Sequence, residues 1–314
     1  MSAGPARLPW VDSARGLALW AMFGFHLTWD LAFFGWIGAD LRYSLGFHWL
    51  GHAIASSFLF LVGLSLVLAR RARGPLLRSR AFWRRWATIA GAAAAVSAVS
   101  FWLFPATPIF FGILHLIALS SLIAAPLVEA PVWLILALAA LALAAPPVLA
   151  GPFFDARIFW WTGLGTFEPP SNDYQPLLPW LAAVLLGVAA AKLPLPEKRE
   201  SGRAATLPKV LGYFGRHSLV FYLVHQPLLF GFFSLLALFV VPPGQERLFV
   251  GQCVEQCFAE AAEPDLCQRT CACAVARAKT AGYWPGMVRD ALTEAQKTRA
   301  HDDIVACFGD DRIP

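Results

Sequence analysis

Cysteine is missing from the first 252 residues of this 314-residue chain, and charge is scarce throughout: Asp, Glu, Lys and Arg together make up 14%. So little charge, set against 58% hydrophobic residues with 13 Trp and 25 Phe, excludes an ordinary soluble domain and fits a polytopic membrane protein. No cleavable signal peptide is evident, because the first apolar run begins too late, continues too long and carries His26 and Asp30. No internal repeat is evident either, which weighs against a transporter built from inverted halves. The formal charge of +5 is concentrated in a few loops, and no nucleic-acid partner is expected.

What is present reads as an all-α bundle of about seven transmembrane helices: Gly16 to Trp36, Gly51 to Ala69, Trp86 to Phe104, Ile109 to Val128, Val132 to Ala150, Leu177 to Lys192 and His217 to Val241. The fifth, almost entirely Leu and Ala up to Pro146-Pro147, is expected to be lipid-facing scaffold. Residues 1–245 form the membrane domain in this reading, and 246–314 form a small helical tail linked by disulfides.

Orientation follows from the cations in short loops. Seven Arg (70, 71, 73, 78, 80, 84, 85) lie in one loop, and Lys192, Lys198, Arg199, Arg203, Lys209 and Arg216 in another, both on the side of the N-terminus. The opposite loops hold only Arg42 and Arg157. The N-terminus is therefore expected in the cytoplasm and the C-terminus outside it. All six cysteines follow the last span, where an oxidising compartment permits disulfides, so redox and topology agree. Cys253-x3-Cys257 and Cys267-x3-Cys271 each place two thiols one helical turn apart, with Glu263-Pro264-Asp265 as a turn between them. Two helices folded back on each other predict Cys253–Cys271 and Cys257–Cys267, leaving Cys273 with Cys307. A four-ligand zinc site is the rival reading. In spacing, this pattern resembles the twin Cx3C hairpin of small oxidised proteins.

The first span holds the ionisable residues that hydrocarbon tolerates least. A helix rising about 1.5 Å per residue puts His26 near mid-membrane, and an unpaired Asp30 there would cost roughly 2.5–3.5 kcal/mol. His26 and Asp30, spaced i,i+4, share a face, so Asp30 is expected to accept a proton from one ring nitrogen and leave the other free as a general base. The competing reading is a His that merely bridges helices. His115 in the fourth span is open to the same two readings, beside Gly112, which would allow close approach. His48 and His52 sit one turn apart at the outer end of the second span, without a third ligand at fixed spacing, so no metal is expected. Asp173 and Tyr174 precede the sixth span and suit a hydroxylated acceptor, as do His48 and His225, the latter deep in the seventh beside Gln226 and Pro227. Arg15, Arg216 and His217 are placed to meet a phosphate-bearing cofactor.

Asp12-x2-Arg15-Gly followed by His26, with Phe58-Leu-Phe-Leu-Val-Gly63-Leu-Ser65, Phe111-Gly-Ile-Leu-His115, Pro176-Leu-Leu-Pro179-Trp180 and Gly215-Arg-His-Ser-Leu-Val-Phe-Tyr-Leu-Val-His225-Gln-Pro227, resembles the bacterial branch of the heparan-α-glucosaminide N-acetyltransferase catalytic domain family. The resemblance covers about Leu8 to Val241. It implies an acyltransferase in the bacterial inner membrane that takes an acetyl group from cytoplasmic acetyl-CoA and gives it to a hydroxyl or amine of a glycan or similar acceptor outside. It also implies a histidine at the place of His26, whereas lysosomal members carry theirs in the loop after the first helix, where His48 and His52 stand. Membrane lipid is the expected surroundings and a homodimer a possible assembly. The rival class is a proton-coupled transporter or flippase of a small polar solute, with His26 and Asp30 as its relay; a third reading makes the membrane part an anchor for the tail.

Overall fold

Twelve α-helices and three short 3-10 turns make up the computed structural model, which describes residues 9–38, 41, 44–194, 209–260 and 264–308, and no strand occurs among these described residues. The helices are α1 (Pro9–Phe33), α2 (Leu45–Arg73), α3 (Arg80–Leu103), α4 (Ile113–Leu127), α5 (Val132–Leu149), α6 (Leu177–Lys192), α7 (Lys209–Arg216), α8 (Ser218–Phe239), α9 (Gln245–Glu260), α10 (Pro264–Thr280), α11 (Trp284–Val288) and α12 (Glu294–Phe308). Arg42, Lys198, Arg199, Arg203 and Glu263, used above for topology and the tail turn, lie outside the described residues. Four helices, α2, α3, α5 and α8, are long and apolar enough to cross a membrane; α4 and α6 are apolar but shorter, at 15 and 16 residues. The first expected span, Gly16 to Trp36, overlaps α1, a 25-residue helix that carries Asp12, Arg15 and Asp30. The protein is thus an all-helical membrane protein.

The chain divides into two compact units, Met1–Met22 with Leu50–Leu223, and Phe23–Trp49 with Val224–Pro314. In the first, close helix crossings replace the hydrophobic drive that lipid cannot supply. A Cβ at Gly63 would sit 1.9 Å from the Val184 carbonyl oxygen, and one at Gly187 2.0 Å from that of Phe60, so α2 and α6 cross backbone to backbone. The same reciprocity joins α1 to α7: Gly16 meets the Leu211 carbonyl and Gly215 that of Asp12. Around the α2–α6 crossing, Leu59, Leu64, Leu116, Ile135, Val184, Leu185 and Val188 form the buried core. Large apolar side chains such as Trp102, Leu141 and Val148 are more than half exposed, an outer surface that suits lipid. In α5, Ile135, Ala139 and Ala142 pack inward while Trp133, Leu141 and Leu143 face out, so the lipid-facing expectation describes one side of that helix.

In the second unit, Gly244 N–H donates to the Gly35 carbonyl at 2.7 Å and Gln245 Nε2 to that of Phe34 at 2.9 Å, which ties the end of α1 to the start of α9. Beyond it, α9, α10, α11 and α12 gather on Val275, Ala278, Tyr283, Trp284 and Ala300. Three disulfides, Cys253–Cys271, Cys257–Cys267 and Cys273–Cys307, all pass through α10, with Cα–Cα separations of 6.0, 5.7 and 5.9 Å. The pairing is the one the helical spacing predicts. Every cysteine is consumed by it, so no thiolate remains for the zinc alternative.

Candidate functional site

The first unit contains a cavity of about 1940 Å³, well beyond the roughly 300–1,000 Å³ that holds a drug-sized ligand. Its wall carries seven cations, Arg15, Arg71, Arg73, Arg84, Arg85, Lys192 and Arg216, against one carboxylate, Asp12. The imbalance has a local cause. The last turn of α2 is Ala69-Arg70-Arg71-Ala72-Arg73 and the first turns of α3 bring Arg84 and Arg85, while the α1–α7 glycine contact draws Arg15 and Arg216 to the same wall. Arg15 is fixed by Asp12 Oδ1, which its Nη1 reaches at 3.2 Å, and by a short hydrogen bond from its Nη2 to Ser65 Oγ. Arg85 lies within Coulombic reach of both Arg15 and Arg73, so three guanidinium groups repel one another with a single carboxylate between them. Such a set is relieved by a bound anion.

The same lining also includes the apolar Phe58, Val62, Ile89, Ile113 and Ile117, together with Tyr222. The Tyr222 hydroxyl donates to Asp173 Oδ2 at 3.5 Å, and the Ile113 N–H donates to the same oxygen at 3.1 Å. Asp173 thereby caps α4. A Cβ on Gly112 would lie 2.2 Å from that oxygen, so the glycine admits the carboxylate. Burial pushes the Asp173 carboxyl above the usual carboxylate range, against the pull of these two donors.

His115 completes the same cap. Ser97 Oγ donates to the Ile109 carbonyl at 2.6 Å, so its 3.1 Å contact with His115 Nε2 is a bond that the ring donates; Nδ1 in turn accepts the Gly112 N–H at 3.3 Å. Both nitrogens are thus engaged, Nε2 across to α3. Tyr174 is likewise tied into the loop: its hydroxyl donates to the Trp160 carbonyl at 2.6 Å, its ring lies 5.7 Å from Phe110, and burial with the Glu168 charge pushes the phenol up to about 12. Asp173 thus ties the loop to α4, and Tyr174 ties it to the turn that carries Trp160. His52 stacks on Trp180 at 4.9 Å.

The second unit holds the other expected group. His26 and His225 face each other with ring centroids 5.1 Å apart, and His225 is buried. The expected hydrogen bond between His26 and Asp30 is not formed. Asp30, fully buried, accepts from Gln226 Nε2 at 3.0 Å through Oδ1. Its short side chain reaches across to α8, and His26 is left partly exposed. Asp30 Oδ2 and Gln226 Oε1 are buried without a hydrogen-bond partner, and a buried orphan of this kind costs about 1–3 kcal/mol. His48 is exposed, with Trp49 as its ring neighbour at 6.1 Å. Among the described residues, no three His, Cys, Asp or Glu side chains gather to hold a metal ion.

The cofactor-binding residues expected from the sequence, Arg15, Arg216 and His217, do share one wall. Ser65, Tyr222, Arg71 and Arg73 were not singled out by role; the Arg run reads equally as a topology signal, and only the fold turns four of its members, Arg71, Arg73, Arg84 and Arg85, inward. Residues 7–227 match the sequence signature of the family described as heparan-alpha-glucosaminide N-acetyltransferase, catalytic. No curated protein and no solved structure matches the chain.

Proposed function

We propose, for a chain that belongs to the heparan-alpha-glucosaminide N-acetyltransferase catalytic family, that it transfers an acetyl group from cytoplasmic acetyl-CoA to a hydroxyl or amine of a sugar-type acceptor on the far side of the membrane. The observation that carries the donor assignment is the cavity of the first unit. Coenzyme A presents a pyrophosphate and a ribose phosphate on one end and a long, mostly apolar arm on the other. Seven cations against one carboxylate suit the phosphates, and the apolar lining residues Phe58, Val62, Ile89, Ile113 and Ile117 suit the arm.

For the chemistry, neutral His26 takes the proton of the acceptor O–H or N–H as that atom attacks the thioester carbonyl, and the CoA thiolate leaves. His225, in contact with His26, is the ring that fixes its orientation. Purified protein in liposomes, given labelled acetyl-CoA and a glycan mixture, is expected to label the glycan. A second reading, a proton-coupled transporter, draws support from the fully buried Asp30 and from the facing imidazoles of His26 and His225. Proton-linked solute uptake that is indifferent to CoA would replace the first reading with the second.

A further inference from the structure

Two buried oxygens of the second unit lack a donor, Asp30 Oδ2 and Gln226 Oε1, and they belong to side chains already joined to each other, Gln226 Nε2 donating to Asp30 Oδ1 at 3.0 Å. A carboxylate and a primary amide bonded along one edge have only acceptors left on the other. Two acceptors cannot satisfy each other, and Asp30 is wholly removed from solvent. A single proton satisfies both.

We infer that Asp30 carries a proton on Oδ2 and donates it to Gln226 Oε1, closing a ring of two hydrogen bonds between an acid on α1 and an amide on α8. Both planar groups permit this, and a neutral acid removes the cost of a naked charge at that depth. The ionisable neighbours on the same two helices are His26, one turn earlier on α1, and His225, adjacent to Gln226 on α8. With both oxygens committed to Gln226, the acid is not the partner of the His26 ring. Asp30 and Gln226 are positioning residues that lock α1 to α8 where the two imidazoles meet. Their effect on rate rests on the proposed acyl transfer; their protonation state does not.

Asp30→Asn separates the possibilities, because its amide reproduces the pattern of the protonated acid: Nδ2 donates to Gln226 Oε1 and Oδ1 accepts from Gln226 Nε2. The variant is expected to accumulate normally and keep its acetyl-transfer rate within about threefold of wild type, whereas Asp30→Ala, which strands the amide, loses far more. A loss of about a thousandfold in a folded Asp30→Asn protein overturns the inference, since a charged partner of the base is then required. Infrared difference spectra at neutral pH give a readout independent of activity. A protonated-carboxyl C=O band present in wild type and absent from Asp30→Asn supports the inference, and a wild-type spectrum without that band overturns it. Should Asp30→Asn fail to fold, Gln226→Leu takes its place: the band is expected to move to the position of an acid without its amide partner, and a band that stays put overturns the pairing.

Discussion

The membrane helices and the tail solve the same problem by opposite means. The helices before residue 240 contain no cysteine and are held by reciprocal glycine contacts, Gly63 with Val184, Gly187 with Phe60, Gly16 with Leu211 and Gly215 with Asp12, which bring backbones closer than any side chain would allow. The tail has a core of five buried residues and is cross-linked three times through α10. A segment surrounded by lipid gains little by burying apolar surface and gains by close packing. A short helical module in water has too little apolar surface to bury, and covalent bonds restrict its unfolded state instead. The guanidinium cavity and the imidazole pair both lie among the helices.

The widest separation is expected from His26→Ala. Acetyl transfer should fall by about 10²–10⁴-fold, the usual contribution of a positioned acid–base group, while the amount of folded protein stays the same. Retention of activity would remove His26 from the chemistry and return attention to His48, which is exposed. Replacing both Cys273 and Cys307 by Ser opens a 34-residue loop and should destabilise the tail by about 4 kcal/mol on the chain-entropy relation, seen as faster hydrogen exchange in α10 and α12 of the full chain. The contrast between the two regions predicts that acetyl-CoA binding survives this change; loss of binding would break it. Removing one cavity cation, as in Arg73→Ala, should raise the KM for acetyl-CoA by about tenfold with little change in kcat, because a uniform binding contact is lost. A fall in kcat alone would argue that Arg73 acts elsewhere.

The smallest effect lies in the tail. Tyr283 is pushed up to about 12 by burial, by its 2.7 Å hydrogen bond to Asp303 Oδ2 and by the charge of Asp303. A raised folded value means that the phenol form stabilises the tail. The contribution is fully present below pH 10, where the unfolded phenol still holds its proton, and is lost as pH rises from 10 through about 12. The difference in phenolate absorbance between wild type and Tyr283→Phe should therefore rise near the upper value; a rise near 10 would dissociate Tyr283 from Asp303.

The legible parts of the molecule are those set by spacing along one helix or by composition. Apolar runs located the long spans to within a few residues, and the sixth, Leu177–Lys192, coincides with α6. The i,i+4 thiols and a turn between them led to all three disulfides, since two helices that fold back leave few geometries for a bond. The Arg15, Arg216 and His217 set was read from position along the chain, and the fold brings all three to the lining of one cavity. The partner of Asp30 was not legible: Gln226 lies 196 residues away, and the nearer His26 shares its helix face without bonding to it. The partners of His115, Ser97 on α3 and the Gly112 N–H three residues before it, were not legible either.

Sequence alone determined that the chain is helical, that it belongs in a membrane and that its last part is cross-linked, because hydropathy, helical period and thiol spacing are local quantities that lipid or water reads directly. Tertiary structure decided which polar groups answer one another. It turned Arg71, Arg73, Arg84 and Arg85 toward a cavity, gave Asp173 to the cap of α4 and paired Asp30 with Gln226. In a medium that offers no hydrogen bonds, a buried polar group is answered from within the protein, and only the packed helices define which group is within reach.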